Sequence, residues 1–163
     1  MRLKGAAKLD MQIIWQYAVT ILAVALTYVF GRLQWFYSQN NETAKERYDK
    51  FYVPYMELII KSRGVVIDFG QITPDSRGIF FDLIMNNLKY IDYSTQMRIK
   101  PFYTAFLHLL EYDSGNKKYK NAPEVATNEF LLLTDCVLSE AKKLSKQLRL
   151  PNLSKSIEES YFQ

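Results

Sequence analysis

Hydrophobic and polar positions divide the chain into one long uncharged run and a series of shorter amphipathic stretches. From Met11 to Phe30 the sequence reads MQIIWQYAVTILAVALTYVF, twenty residues without a charge. A helix of that length rises roughly 30 Å, the thickness of a bilayer's hydrocarbon core. Trp15 and Tyr17 lie toward one end of the run, and Tyr28, Trp35, Phe36 and Tyr37 lie at or beyond the other. Amphipathic rings at both ends are the arrangement of interfacial aromatic belts, which makes Trp15, Tyr17, Tyr28 and Trp35 the candidate membrane-anchoring residues. Gln12 and Gln16 lower the hydrophobicity near the headgroups. Ala23-Val24-Ala25 also fits a signal-peptidase pattern, but Leu26 to Phe30 continues the apolar run past it, so the segment reads as an anchor. Ala23 and Thr27 form a small-x-x-x-small pair, a weak signal for contact with a second copy of the helix.

Beyond Gly31 the pattern changes. Residues 31–42 read as a polar and aromatic juxtamembrane connector. Thr43-Ala44-Lys45-Glu46 then resembles a capping box that opens a new helix or marks a joint in a continuous one. Tyr48, Phe51, Tyr52, Tyr55 and Ile59 recur at spacings of three and four, with Pro54 predicting a kink or restart and Gly64 a stop. Val65 to Ile72 is a β-branched run with no partner strand elsewhere, read as an extended linker. Thr73-Pro74-Asp75 supplies an N-cap, a first-turn proline and an acidic first turn for a helix whose apolar face is Phe80, Leu83, Ile84, Leu88 and Ile91.

After a polar break at Asp92 to Thr95, a fourth stretch carries Met97, Ile99, Phe102, Tyr103, Phe106, Leu109 and Leu110 up to Tyr112, with Pro101 inside it. Asn121 and Glu124 resemble a second capping box. It would open the longest of these helices, whose face is Phe130, Leu133, Val137, Ala141, Leu144 and Leu148, with Pro151 as its stop. The tail, residues 151–163, is polar apart from Tyr161 and Phe162 and reads as loosely ordered. The predicted fold is all-α: a basic leader (1–10), a single N-terminal transmembrane helix (11–30), the connector, and a mostly antiparallel helical bundle (43–150).

Composition agrees with a folding chain: 48% of the 163 residues are apolar, 23% charged and 15% aromatic, with twelve Tyr and ten Phe. The net charge of +4 comes in part from Arg2, Lys4 and Lys8 ahead of the apolar run, which makes nucleic acid a poor specific ligand. Those three bases face only Asp10, whereas Arg32 stands alone until Lys45. The positive-inside rule therefore favours a cytoplasmic N-terminus and a domain outside the cytoplasm, in a single-pass protein of the cell membrane; Lys45, Arg47 and Lys50 support the alternative, with the domain in the cytoplasm.

Candidate chemistry is sparse. His108 and Cys136 are the single histidine and the single cysteine, too few for a zinc site, and both sit in apolar helical stretches where a packed role is the default. No glycine-rich phosphate loop occurs. Asp75, Asp82, Glu111, Asp113, Glu124, Glu129 and Asp135 are scattered at helix starts and polar faces. No catalytic, cofactor-binding or metal-binding residue is assigned and no cofactor is expected, so the chain reads as a non-enzyme. The alternative is a membrane-bound enzyme or toxin-like effector whose site forms only in three dimensions. Asn86, Asn87, Tyr90 and Tyr93 are the tentative interaction residues, and Lys117, Lys118 and Lys120 form a basic loop that can attract anionic membrane.

The order of parts, together with ERYDKFYVPY (Glu46 to Tyr55) and PFYTAFLHLLEYDSG (Pro101 to Gly115), resembles the small superinfection-exclusion proteins encoded by temperate phages of Gram-positive bacteria. The resemblance implies a membrane-anchored protein that blocks incoming phage DNA. Its partners would be the lipid bilayer and another membrane or envelope protein, with a homo-oligomer as a further option.

Overall fold

The computed structural model of the chain describes residues 3–62 and 68–161. Arg2, Gly64, Val65 to Ile67 and Phe162 lie outside the described residues, and with them the expected helix stop at Gly64 and the first three residues of the extended linker. Among the described residues the secondary structure is helical throughout. The chain forms two compact units that divide at Glu42/Thr43.

The first unit, Met1–Glu42, is helical from Leu3 onward as part of α1 (Leu3–Arg47), a helix of 45 residues. Gly31 to Asn41, read from sequence as a connector, continues the helix instead. Gly31 is the one weak helix former there, at a cost of about 1 kcal/mol, and no proline interrupts the register before Pro54. Thr43 to Glu46 lies within α1 and so marks a joint rather than a new start. From Val19 to Thr43 every side chain is exposed.

Burial begins at Ala44, in the second unit, Thr43–Gln163. After Arg47 the backbone widens into one π-turn, Tyr48–Tyr52, where the Val53 N–H reaches the Tyr48 carbonyl, and then tightens into α2 (Val53–Lys61). The wide turn relieves the clash that the Pro54 ring would otherwise make one turn back, and this is the restart expected at that proline. It also keeps Tyr48, Phe51, Tyr52, Tyr55 and Ile59 together in the core.

Helix α3 (Pro74–Asn86) starts as its sequence dictates: the Thr73 hydroxyl accepts the Ser76 N–H, and Pro74 occupies the first turn. Its Arg77, buried at 3% exposure, reaches Asp113 at 2.7 Å and so ties α3 to the end of α4 (Tyr93–Asp113). Asp92 caps α4 by accepting the Ser94 and Thr95 N–H groups. Pro101 is exposed and leaves α4 unbroken, with the free carbonyl one turn back belonging to exposed Met97.

Helix α5 (Ala122–Leu148) makes its broadest contact with α4, through Phe102, Ala105, Phe106 and Leu109 on one side and Ala126, Phe130, Leu133 and Val137 on the other. The expected Asn121 cap does not form. Asn121 continues the short 3₁₀ turn Lys117–Tyr119 with φ −95° and ψ 7°, and Pro123 removes an N–H that a capping side chain would take. The helix ends at Arg149, whose left-handed φ of 57° lets the Leu150 N–H reach the Ser145 carbonyl at 2.8 Å. The tail is then not loose. It forms α6 (Leu153–Tyr161), which buries Ser154 and Ile157 and packs on α5 and α2.

Phe69 stands at the centre of the core. Its ring is fully buried, stacks on Phe130 at 4.2 Å and meets Phe102 edge-on at 5.6 Å. Gly70 follows because nothing larger fits: a Cβ there would lie 2.1 Å from the Pro123 carbonyl oxygen, while the Gly70 N–H donates to Thr127 at 2.8 Å. The segment 68–72, assigned from sequence to a linker, is thus an inserted part of the core.

Candidate functional site

α1 is long and apolar enough, by length and composition, to cross a membrane. Val19, Ile21, Leu22, Val24, Leu26, Val29 and Phe30 are 49–69% exposed. Leaving those side chains in water forgoes on the order of 10 kcal/mol of burial. Trp15 and Trp35 are 67% and 61% exposed, and their separation of twenty positions corresponds to about 30 Å of helix, one hydrocarbon thickness. Tyr17 and Tyr28 are equally open, at 68% and 66%. Arg32 lies inside the Trp15–Trp35 interval but close enough to its end for the guanidinium to snorkel. The Thr27 hydroxyl donates to the Ala23 carbonyl at 2.8 Å, so its polar group is satisfied within α1.

The second unit carries a polar knot that the sequence did not reveal. Arg47 donates through Nε to the Tyr90 carbonyl at 2.9 Å, and through Nη2 to the Tyr52 hydroxyl and the Glu140 carboxylate, both at 3.3 Å. Tyr52 donates in turn to Asp92 at 3.4 Å and accepts the Asp92 N–H at 3.3 Å. Burial pushes the Tyr52 phenol well above its ordinary pKa, against the smaller opposing pull of its hydrogen bond with the Asp92 backbone and of the Arg47 charge. At Asp92 burial acts upward, but the hydrogen bonds from Ser94 and Thr95 outweigh it and hold the carboxyl below its usual range. The knot therefore stays an Arg–carboxylate pair bridged by a neutral tyrosine, an arrangement that fixes positions rather than moving protons.

The four tentative interaction residues share one short stretch but not one role. Asn87 turns back to donate to the Leu83 carbonyl at 2.8 Å, closing α3. Tyr90 is half-buried and donates to Glu46 at 3.0 Å, joining the knot. Asn86 and Tyr93 are exposed, Tyr93 at 76%.

His108 and Cys136 do not meet. The His108 ring stacks on Tyr119 at 4.5 Å and faces a groove whose wall on α5 ends at Val125; Cys136 lies eleven residues further along α5, about 16 Å away. Among the described residues no group of three His, Cys, Asp or Glu side chains could hold a metal ion.

Arg47, Glu140 and Arg77 were the functional-looking residues that periodicity missed. The Asp92-x-Ser94-Thr95 pattern was a legible N-cap signal, but the partner that makes Arg47 more than a surface base, Glu140, is 93 residues away. Comparison of the chain with protein-family models, with curated proteins and with solved structures found no match.

Proposed function

We propose that the chain is a single-pass membrane protein that holds a helical interaction domain at the membrane surface and has no enzymatic activity of its own. The observation that carries the reading is the uncovered apolar surface of α1 from Val19 to Phe30, flanked by tryptophans one hydrocarbon thickness apart. Lipid is the solvent that such a surface fits. The domain is an antiparallel bundle in this reading, supported by the short link between α4 and α5 and by their packing. The basic leader supports a cytoplasmic N-terminus, with the domain outside the cytoplasm. There its exposed surface meets another membrane or envelope protein, in the manner of the superinfection-exclusion proteins that the chain resembles, and the outcome is a block to incoming phage DNA.

Protease treatment of intact cells stripped of their wall, carrying a C-terminal epitope on the protein, tests this arrangement. Cleavage of the epitope supports an external domain. Full protection sinks both the orientation and the exclusion role, and a mature N-terminus at Leu26 replaces the anchor with a discarded signal.

A further inference from the structure

Where the link after α4 meets the first turn of α5, a groove of about 370 Å³ opens, walled by His108, Lys117, Lys118, Tyr119, Lys120 and Ala122. We propose that this groove is a binding site for a phosphate-bearing anion, a property separate from anchoring.

Three lysines occupy four consecutive positions, and no carboxylate lines the groove with them. Among the described residues none of the three is in an ion pair, whereas Lys61, Lys142, Lys143 and Lys155 each have a glutamate within 3.1–3.6 Å. The nearest acids in sequence are turned to other tasks. Glu111 accepts from the Asn116 amide at 3.2 Å, and Asp113 holds Arg77 at 2.7 Å. Glu124 and Asp68 line a neighbouring groove that shares Lys120, so the uncompensated charge centres on Lys117 and Lys118. Single unpaired lysines such as Lys100 on α4 are ordinary solvated side chains; three sharing one concavity repel each other, and a multiply charged anion relieves that repulsion.

The wall is built rather than loose. The His108 and Tyr119 rings are within 18° of parallel, Lys118 Nζ lies over the Tyr119 ring at 5.5 Å, and the Asn116 side chain accepts the Lys118 N–H at 3.1 Å. α5 opens beside them without a side-chain cap, so the positive end of the helix adds to the lysines. A phosphate group suits this set, because its several oxygens can each take an ammonium group. The same chemistry is offered by a soluble phosphate compound and by an anionic lipid headgroup.

The test uses the full chain in phosphatidylcholine nanodiscs, reading two signals: acylation of Lys117, Lys118 and Lys120 relative to Lys100, and the NMR resonance of His108, the single histidine. Inorganic phosphate is titrated in one arm, with chloride at equal ionic strength as control. In the other arm phosphatidylglycerol replaces part of the lipid, without added phosphate. Selective protection of the three lysines with a shift of His108 supports the site. A response to phosphate assigns it to a soluble ligand, and a response to phosphatidylglycerol alone assigns it to a headgroup. Protection that is absent in both arms, matched by chloride or equal at Lys100 overturns the proposal. So does a response that persists in a folded K117Q/K118Q variant.

Discussion

Phe69→Ala is the sharpest test of how the second unit is held together. The ring is fully buried among Phe80, Phe102, Phe106 and Phe130, with its stacked partner Phe130 only 4.2 Å away. Truncation removes the transfer free energy of the ring and leaves a cavity that these rigid rings fill poorly. The expected cost is about 3–5 kcal/mol, a large part of a domain stability of about 5–15 kcal/mol. In a thermal melt this corresponds to a drop of more than about 10 °C. Both tryptophans of the chain lie on α1, so tryptophan fluorescence is blind to this event. Near-UV circular dichroism of the tyrosine and phenylalanine core, recorded on the full chain in a neutral detergent, is the suitable signal.

A second substitution probes the same insertion without removing any apolar surface. Gly70→Ala drives a Cβ to 2.1 Å from the Pro123 carbonyl oxygen, a backbone atom that cannot rotate away, and disturbs the Gly70–Thr127 hydrogen bond. Its effect should rival that of Phe69→Ala, whereas Phe36→Ala, exposed on α1, should lie within about 0.5 kcal/mol of the parent. If Phe69→Ala costs less than about 1 kcal/mol, segment 68–72 is not seated in the core and the aromatic cluster around Phe69 does not form.

Two further outcomes follow from the buried polar groups. Asp113→Ala strands the Arg77 guanidinium at 4% side-chain exposure and should cost about 3 kcal/mol in chemical denaturation, whereas Arg77→Met, which removes the buried charge itself, should cost clearly less; equal losses would refute the ion pair as the reason. Stability should also fall at both ends of the pH range. Asp92 has a lowered folded pKa, so its contribution is complete above the ordinary carboxylate value near 4 and is lost as pH falls through the lower folded value. Tyr55, raised by burial against the opposing Thr134 hydrogen bond, contributes fully below about 10 and loses that contribution as pH climbs toward its folded value. Denaturation curves of Asp92→Asn and Tyr55→Phe across pH should flatten the acid and alkaline limbs respectively, and unchanged limbs would contradict these assignments.

Local signals were legible in the sequence and distant ones were not. Thr73-Pro74-Asp75 opened α3 as read, because a cap and its N–H partner are three residues apart. Pro54 marked its restart because the clash it must avoid is one turn back. Phe69 could not be read, since its burial is decided by rings on α3, α4 and α5, and five residues carry no usable period. The tail failed for a related reason: Ser154 and Ile157 gain burial only because Arg149 turns the chain back onto α5 and α2. The apolar length of α1 was legible from its uncharged run, but its continuation past Gly31 was hidden by a polar composition that suits an exposed helix as well as a connector. Of the four tentative interaction residues, Asn87 and Tyr90 proved to have partners within the fold: Asn87 bonds the Leu83 carbonyl one turn back, a local contact, whereas Glu46, the partner of Tyr90, is 44 residues away.

Tyrosine shows most plainly why composition could not separate the two units. Tyr28 and Tyr37 on α1 are 66% and 70% exposed, whereas Tyr48, Tyr52 and Tyr55, beginning only eleven residues later, are buried. Of these, Tyr52 and Tyr55 place their hydroxyls on Asp92 and Thr134. The change falls inside one unbroken helix, at Ala44, so α1 is uncovered before that residue and packed from it onward. Its last turn belongs to the domain: Glu46 accepts from Tyr90, and Arg47 reaches Tyr90, Tyr52 and Glu140. A fragment meant to carry the domain alone must therefore begin at or before Thr43, because a cut placed at the π-turn, where the helix looks interrupted, discards the arginine that the knot is built around.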